Sequence, residues 1–282
     1  MTVYRNVQHI IPSHATSDGD GVKIRRVHGF DNQAFSPFLM IDELRSDDKK
    51  DYIGGFPPHP HRGIETLTYM RQGHFQHRDH MGNVGELRSG GAQWMAAGQG
   101  VIHSEMPIME EGALHGFQIW INQPANNKMI PAQYHDYQPE TITQRTNEDM
   151  GSIRIIAGEL GLNDAIAAGP LQKTGVPLMV ADWQTTHDQR IKLRLDANHN
   201  AMVYVYLGQA SIEGKMLQQG ELALLSKGDL LKLSATGESG MLIFSGEPID
   251  EPIVHYGPFV MNSKEEIQQA IDDYNAGLFE TY

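Results

Sequence analysis

The chain contains no cysteine. Disulfides and thiolate metal sites are therefore excluded, and any bound metal must be held by nitrogen and oxygen. Long apolar runs are also missing. No stretch approaches the roughly 20 residues that a bilayer-spanning helix needs. Positive charge is scarce: 22 Lys and Arg stand against 35 Asp and Glu, a net charge of -13 over 282 residues. Such a surface repels a phosphate backbone, so direct nucleic-acid binding is not expected. The opening residues Met1-Thr2-Val3-Tyr4-Arg5 lack the apolar core of a signal peptide. Together these absences lead to the expectation of a cytoplasmic protein with no membrane partner.

The length suits two domains of ordinary size. Glycine (29) and proline (14) are spread along the chain, as in many short strands joined by turns. Thr66-Leu67-Thr68-Tyr69-Met70 alternates polar and apolar residues. Gly116-Phe117-Gln118-Ile119-Trp120-Ile121 does so with a bulky Trp on its second face. Gln72-Gly73, Met81-Gly82-Asn83 and Ser89-Gly90-Gly91 are turn signals between such segments. The expected fold is all-β: two antiparallel β-barrel (jelly-roll) domains with a C-terminal helix. Pro124-Ala125-Asn126-Asn127-Lys128, followed by Pro131, reads as the linker. It divides an N-terminal domain, 1–125, from a C-terminal domain, 126–282.

The halves echo each other. Met202–Gly208 repeats the pattern of Leu67–Gly73, and Lys227-Gly228-Asp229 that of Ser89-Gly90-Gly91, at offsets of 135 and 138 residues. The C-terminus carries the clearest helix signal. Ser263 and Glu266 form a capping-box pattern, Ile267, Ala270, Ile271 and Tyr274 share one face, and Gly277 ends the run.

The chemistry is carried by His59-Pro60-His61 and His103-Ser104-Glu105. On a strand, residues i and i+2 face the same side. Two such strands, paired or facing across a barrel, aim three imidazoles and one carboxylate at one point. That set suits a divalent transition metal with open coordination positions: Fe(II) first, with Mn(II), Ni(II), Co(II) or Zn(II) as alternatives. At an offset of 135, His59 and His61 correspond to Arg194 and Asp196, and His103 and Glu105 fall near Gly240 and Leu242. Metal is therefore expected in the first barrel alone. His74, His77, Asp79 and His80 read as a solvated turn, and His115, Phe117, Ile119 and Ile121 as core. Trp94 and Met95 lean towards the core as well.

Two segments, His59-Pro60-His61-Arg62-Gly63-Ile64-Glu65-Thr66 and Gln93 through Pro107, resemble the pirin family of the cupin superfamily. So do His115-Gly116-Phe117-Gln118-Ile119-Trp120 and Glu251 through Asn262. The general cupin second motif has Pro and Asn where this chain has Gly98 and Pro107, and that departure is itself pirin-like. The resemblance implies a bicupin with metal in the N-terminal barrel only, held by His59, His61, His103 and Glu105. It implies iron as the usual metal. It also assigns the carboxylate role to Glu105 rather than to Glu65, which is left as a partner behind the ligands or in an ion pair with Arg62 or Arg71.

Some family members show quercetin 2,3-dioxygenase activity, whereas others are described as regulators. The leading expectation is a metal-dependent dioxygenase that cleaves a flavonol-like substrate with O2. Glu105 would serve as general base for the acidic 3-hydroxyl. The alternative is an iron-dependent redox sensor that binds a protein partner. A monomer is expected, since one chain already contains two barrels.

Overall fold

The computed structural model describes residues 2–109, 112–162 and 165–281. Every pairing between its named strands is antiparallel, and one α-helix lies near the C-terminus. This is the expected bicupin. No helix among the described residues is long and apolar enough to cross a membrane.

Two compact units are interleaved along the chain. One takes Met1–His14, Asn32–Pro37 and Glu140–Pro248; the other takes Ala15–Asp31, Phe38–Pro139 and Ile249–Tyr282. The second of these carries His59, His61 and His103. It contains a seven-stranded sheet, a four-stranded sheet, a two-stranded sheet and the α-helix. The stretch Pro124–Lys128, expected to be a linker, is an ordered turn in this unit. Its centre, Ala125–Asn127, is a single 3-10 turn, and the Lys128 side chain is buried. The lysine nitrogen donates to Gly63 O at 2.8 Å, Asn122 Oδ1 at 2.7 Å and Val260 O at 2.9 Å. The sequence pattern there recorded a change of direction, not a break between folded bodies.

Proline places the strand of His59 and His61. Phe56–His61 contains Pro57, Pro58 and Pro60 and lies at the edge of the four-stranded sheet. Proline has no N–H for a ladder on both sides, so an edge is where it fits. It also pushes the preceding residue into extended backbone. The run Phe-Pro-Pro-His-Pro-His is thus held straight, and His59 and His61 face one side. The neighbouring strand Val101–Pro107 pairs with it antiparallel, setting His103 opposite His59 and Val101 opposite His61.

The C-terminal helix, Lys264–Asn275, has both halves of the capping box between Ser263 and Glu266. Gly277 follows it at φ +73°. Its buried residues are Ile267, Ala270 and Asp273. Ile271 packs against the apolar cluster that includes Ile267 and Ala270, and Tyr274, though 39% exposed, sets its ring 6.3 Å from Phe259 and 5.7 Å from Phe279 on that face. The buried acid is explained by its partner: Asp273 Oδ2 accepts from Arg62 Nη1 at 2.7 Å, and that side chain is 1% exposed. The Arg62 guanidinium also lies 4.5 Å over the Phe279 ring.

In the other unit the register locates the true counterparts of His59, His61, His103 and Glu105. Gly73, between the strands Ile64–Gln72 and His74–Asp79, and Gly208, within the strand Asn200–Ile212, both have positive φ. Four residues on, His77 pairs with Glu105, and Ile212 pairs with Leu233. Glu105 therefore corresponds to Leu233 and His103 to Leu231. On the other flank His103 pairs with His59, and Leu231 with Leu193. His59 and His61 thus correspond to Leu193 and Leu195. All four leucines belong to one buried apolar cluster. The expected counterparts Arg194, Asp196, Gly240 and Leu242 are displaced from these positions. A constant offset ignores local insertions, and a slip of one residue moves a side chain to the opposite face. Arg194 shows this, with a side chain 60% exposed beside Asp229.

Candidate metal centre

The three histidines converge through their Nε2 atoms. His59 Nε2 lies 3.1 Å from His61 Nε2 and 3.0 Å from His103 Nε2. One ligand nitrogen from each fits within 4.8 Å of the others. The opposite ring nitrogens face fixed partners. His59 Nδ1 is 2.8 Å from Pro57 O, and His61 Nδ1 is 3.3 Å from Pro258 O. A carbonyl oxygen only accepts, so Nδ1 carries the hydrogen in both rings and Nε2 presents its lone pair inward.

Burial keeps the rings of His61 and His103 neutral. Burial pushes His61 down to about 3, with the neighbouring His59 adding to the effect and the Pro258 carbonyl opposing it. Burial likewise holds His103 well below the ordinary histidine range, followed by the influence of His61, His59 and His77. Neutral imidazoles are the form that binds a cation, and the donor set is all nitrogen. The trio could hold a metal ion.

Glu105 lies on the same strand two residues beyond His103, with a bulge between them. It is not part of the three-nitrogen cluster. Its carboxylate is buried, accepting from Thr68 Oγ1 at 3.0 Å and Gln118 Nε2 at 3.2 Å. It lines the same cavity as His59 and His61. That cavity has a volume of about 780 Å³, and its walls include Phe30, Phe56, Trp120 and His255. Trp120 stands edge-on to His61, with ring centroids 5.1 Å apart, and Phe30 stacks on His255 at 4.2 Å.

Other sequence readings find different places. Glu65 is buried on the next strand, where Oε2 accepts the Trp94 indole N–H at 2.8 Å. Phe117, Ile119 and Ile121 are core, as expected; His115 is buried as well, 3.0 Å from Glu43 and 3.2 Å from Arg71. His77 and Asp79 are not a solvated turn. His77 is 2% exposed, and the Asp79 side chain is fully covered. They belong to the strand His74–Asp79, which pairs with the strand of His103. The spacing was the available signal, since His77 and Asp79 are also i and i+2. Thr68, Gln118 and the Pro258 carbonyl had no such signal, because a polar residue within an alternating strand looks the same whether it faces a ligand or water.

Gly98 accounts for the departure in the second motif. Its φ is +50°, and a Cβ there would run into the Ile130 carbonyl oxygen. Proline, fixed near φ -65°, cannot take that conformation.

Comparison with known proteins agrees with this architecture. Residues 21–121 match the Pirin family model, and residues 180–280 match that of the Pirin C-terminal cupin domain. A Vibrio cholerae protein named "putative quercetin 2,3-dioxygenase" is 61% identical over 282 residues, covering all of both chains. A pirin-like protein of Caulobacter vibrioides is 36% identical, covering 98% of this chain and 99% of its own. The crystal structure of a quercetin 2,3-dioxygenase from Acinetobacter baumannii superposes with a TM-score of 0.90 at 33% identity, covering 98% of this chain and 99% of that one. With a family match in each half and full-length relatives on both sides of the naming divide, this chain belongs to the pirin family.

Proposed function

We propose that the protein is a metal-dependent dioxygenase of the quercetin 2,3-dioxygenase type, with one metal in the histidine-bearing barrel and a flavonol-like substrate. One observation carries the reading: His59 and His61, whose Nε2 atoms converge with that of His103, line a roomy aromatic cavity that also contains the buried Glu105 carboxylate. Its volume lies within the roughly 300–1,000 Å³ usual for small-molecule sites. The names of the full-length relatives support the same chemistry.

His59, His61 and His103 would hold the ion, with Glu105 as a fourth ligand. Fe(II) suits this donor set first, ahead of Mn(II), Ni(II), Co(II) and Zn(II). The bound metal supplies Lewis acidity and a site for O2. Trp120, Phe30 and Phe56 give a planar aromatic molecule flat or edge-on contacts and keep water from the reacting ring. Glu105 takes the 3-hydroxyl proton on its carboxylate, while the Thr68 and Gln118 donors keep that group aimed.

The test is turnover. Protein loaded anaerobically with Fe(II) and exposed to air with quercetin should open the heterocyclic ring, and Glu105→Gln should lose at least about a hundredfold in rate. Intact quercetin at stoichiometric loaded protein would overturn the proposal and leave the sensor reading, which predicts partner capture that depends on oxidation state.

A further inference from the structure

Two of the histidine ligands lean on backbone carbonyls, but His103 leans on another side chain. Its Nδ1 lies 3.5 Å from His77 Nδ1, at the long end of hydrogen-bonding distance. His77 Nε2 in turn lies 3.2 Å from Asp79 Oδ2. The ring of His77 is stacked on Tyr134 at 4.0 Å, with 16° between planes. Nothing in the proposed reaction uses this chain of groups.

We propose that His77 and Asp79 are positioning residues that fix the tautomer of His103 and so keep its Nε2 lone pair turned towards the metal. The proposal rests on the reading of His59, His61 and His103 as ligands. Donor counting carries it. Asp79 acts as an acceptor throughout: Oδ1 takes the Asn83 backbone N–H at 3.0 Å, and Oδ2 takes the Asn83 side-chain amide at 2.8 Å. An ionised carboxylate has no hydrogen to give, so His77 Nε2 carries the hydrogen in that contact. A neutral imidazole has one N–H, which leaves His77 Nδ1 as an acceptor. His103 Nδ1 must then be the donor, and His103 Nε2 is left bare 3.0 Å from His59 Nε2. Burial closes the argument, because with His77 2% exposed and the Asp79 side chain at 0% the chain of groups is shielded from bulk water. Outer partners of metal-bound histidines work in this way elsewhere.

Asp79→Asn reverses the direction of the chain. The Asn83 backbone N–H keeps the amide oxygen on its side, so the new NH2 faces His77 Nε2 and donates to it. His77 then carries its hydrogen on Nδ1, and His103 is driven to the Nε2–H form, which cannot bind a cation. Two readouts separate this effect from mere loss of fold. Side-chain 15N NMR of metal-free protein should show His103 as the Nδ1–H tautomer in the wild type and the Nε2–H tautomer in Asp79→Asn. Competition titration with Ni(II) should show affinity falling about 10- to 100-fold in that variant. His77→Phe keeps a flat ring on Tyr134 but removes the acceptor, and it should weaken Ni(II) by about tenfold. Should the asparagine variant fail to fold, His77→Phe decides. The proposal is overturned if folded Asp79→Asn retains the Nδ1–H tautomer, or if His77→Phe binds Ni(II) as tightly as wild type. His61→Ala is the reference: wild type and His61→Ala binding Ni(II) equally would remove the ligand reading itself, and this inference with it.

Discussion

His59 and His103 occupy directly opposed positions on two antiparallel strands, and their Nε2 atoms are 3.0 Å apart. Such a pair is a cross-strand neighbour in a sheet, where opposite residues share a face. Two unprotonated nitrogens at this distance repel each other unless something lies between them. His61, two residues further along, closes the triangle. A cation turns the repulsion into three bonds, so the geometry favours occupation.

Removal of one imidazole should therefore cost metal and little fold. His61→Ala is expected to lower Ni(II) or Fe(II) affinity by at least about a hundredfold, beyond the 10- to 100-fold typical of losing an outer partner. The corresponding experiment in the other unit is Leu231→Ala. It should leave metal content unchanged and cost about 2–5 kcal/mol of stability, because Leu231 is fully buried in an apolar cluster. Metal analysis and denaturant unfolding of both variants measure the two effects. Equal metal content in wild type and His61→Ala would contradict the assignment.

The strands of His59 and His103 were legible in the sequence because their information is local. Pro57, Pro58 and Pro60 set extended backbone, and the period of two then fixes which way the histidines point. The helix was legible for the same reason, since Ser263 and Glu266 cap it three residues apart. The rest depends on distant partners. The buried Asp273 meets Arg62 from 211 residues earlier, a pairing that no local pattern signals. Lys128 looked like part of a linker because its three acceptors come from Gly63, Asn122 and Val260. His77 followed the turn signal Met81-Gly82-Asn83, although the strand carries it inward before the turn begins. The repeat was real as a pattern, but register rather than offset identifies Leu193 and Leu231 as the counterparts of His59 and His103.

Metal-free protein should lose stability in mild acid. The folded-state value of His61 is about 3 against 6.5 for the free side chain, so the unfolded chain takes up a proton that the folded one refuses. Stability from this group is fully present above pH 6.5 and is lost as pH falls from there towards 3. The slope is about 1.4 kcal/mol per pH unit for each such histidine, and His103 acts in the same direction. Urea unfolding of chelator-treated protein at pH 7, 6 and 5 should show the decline, and His61→Leu should flatten it. A wild-type slope no steeper than that of His61→Leu would contradict the prediction.

Metal should stabilise the fold by mass action. Binding to the native form alone contributes about 2.7 kcal/mol at a free metal concentration one hundred times Kd. A chelator should therefore lower Tm in the wild type, while His61→Ala, already unable to hold the ion, should show little change on chelation. Scanning calorimetry of the two proteins, with and without chelator, gives the comparison. Equal shifts in both would place the stabilising metal elsewhere.

Asp273→Ala tests whether the C-terminal helix supports the ligand strand. The substitution strands Arg62 in a buried site after removing its carboxylate partner, a change that costs about 3–5 kcal/mol when one member of a buried pair is lost. Arg62 follows His61 directly and also donates from Nε to Gln99 O at 2.6 Å, so displacement of its backbone shifts the ligand ahead of it. The expected outcome is a lower Tm together with weaker metal binding, smaller than the loss in His61→Ala. Hydrogen exchange should rise first in Lys264–Asn275 and then at the turn through Gly63, whose carbonyl is one of the acceptors of Lys128. A variant with a lowered Tm but wild-type metal affinity would show that the helix stabilises this unit without setting the position of His61.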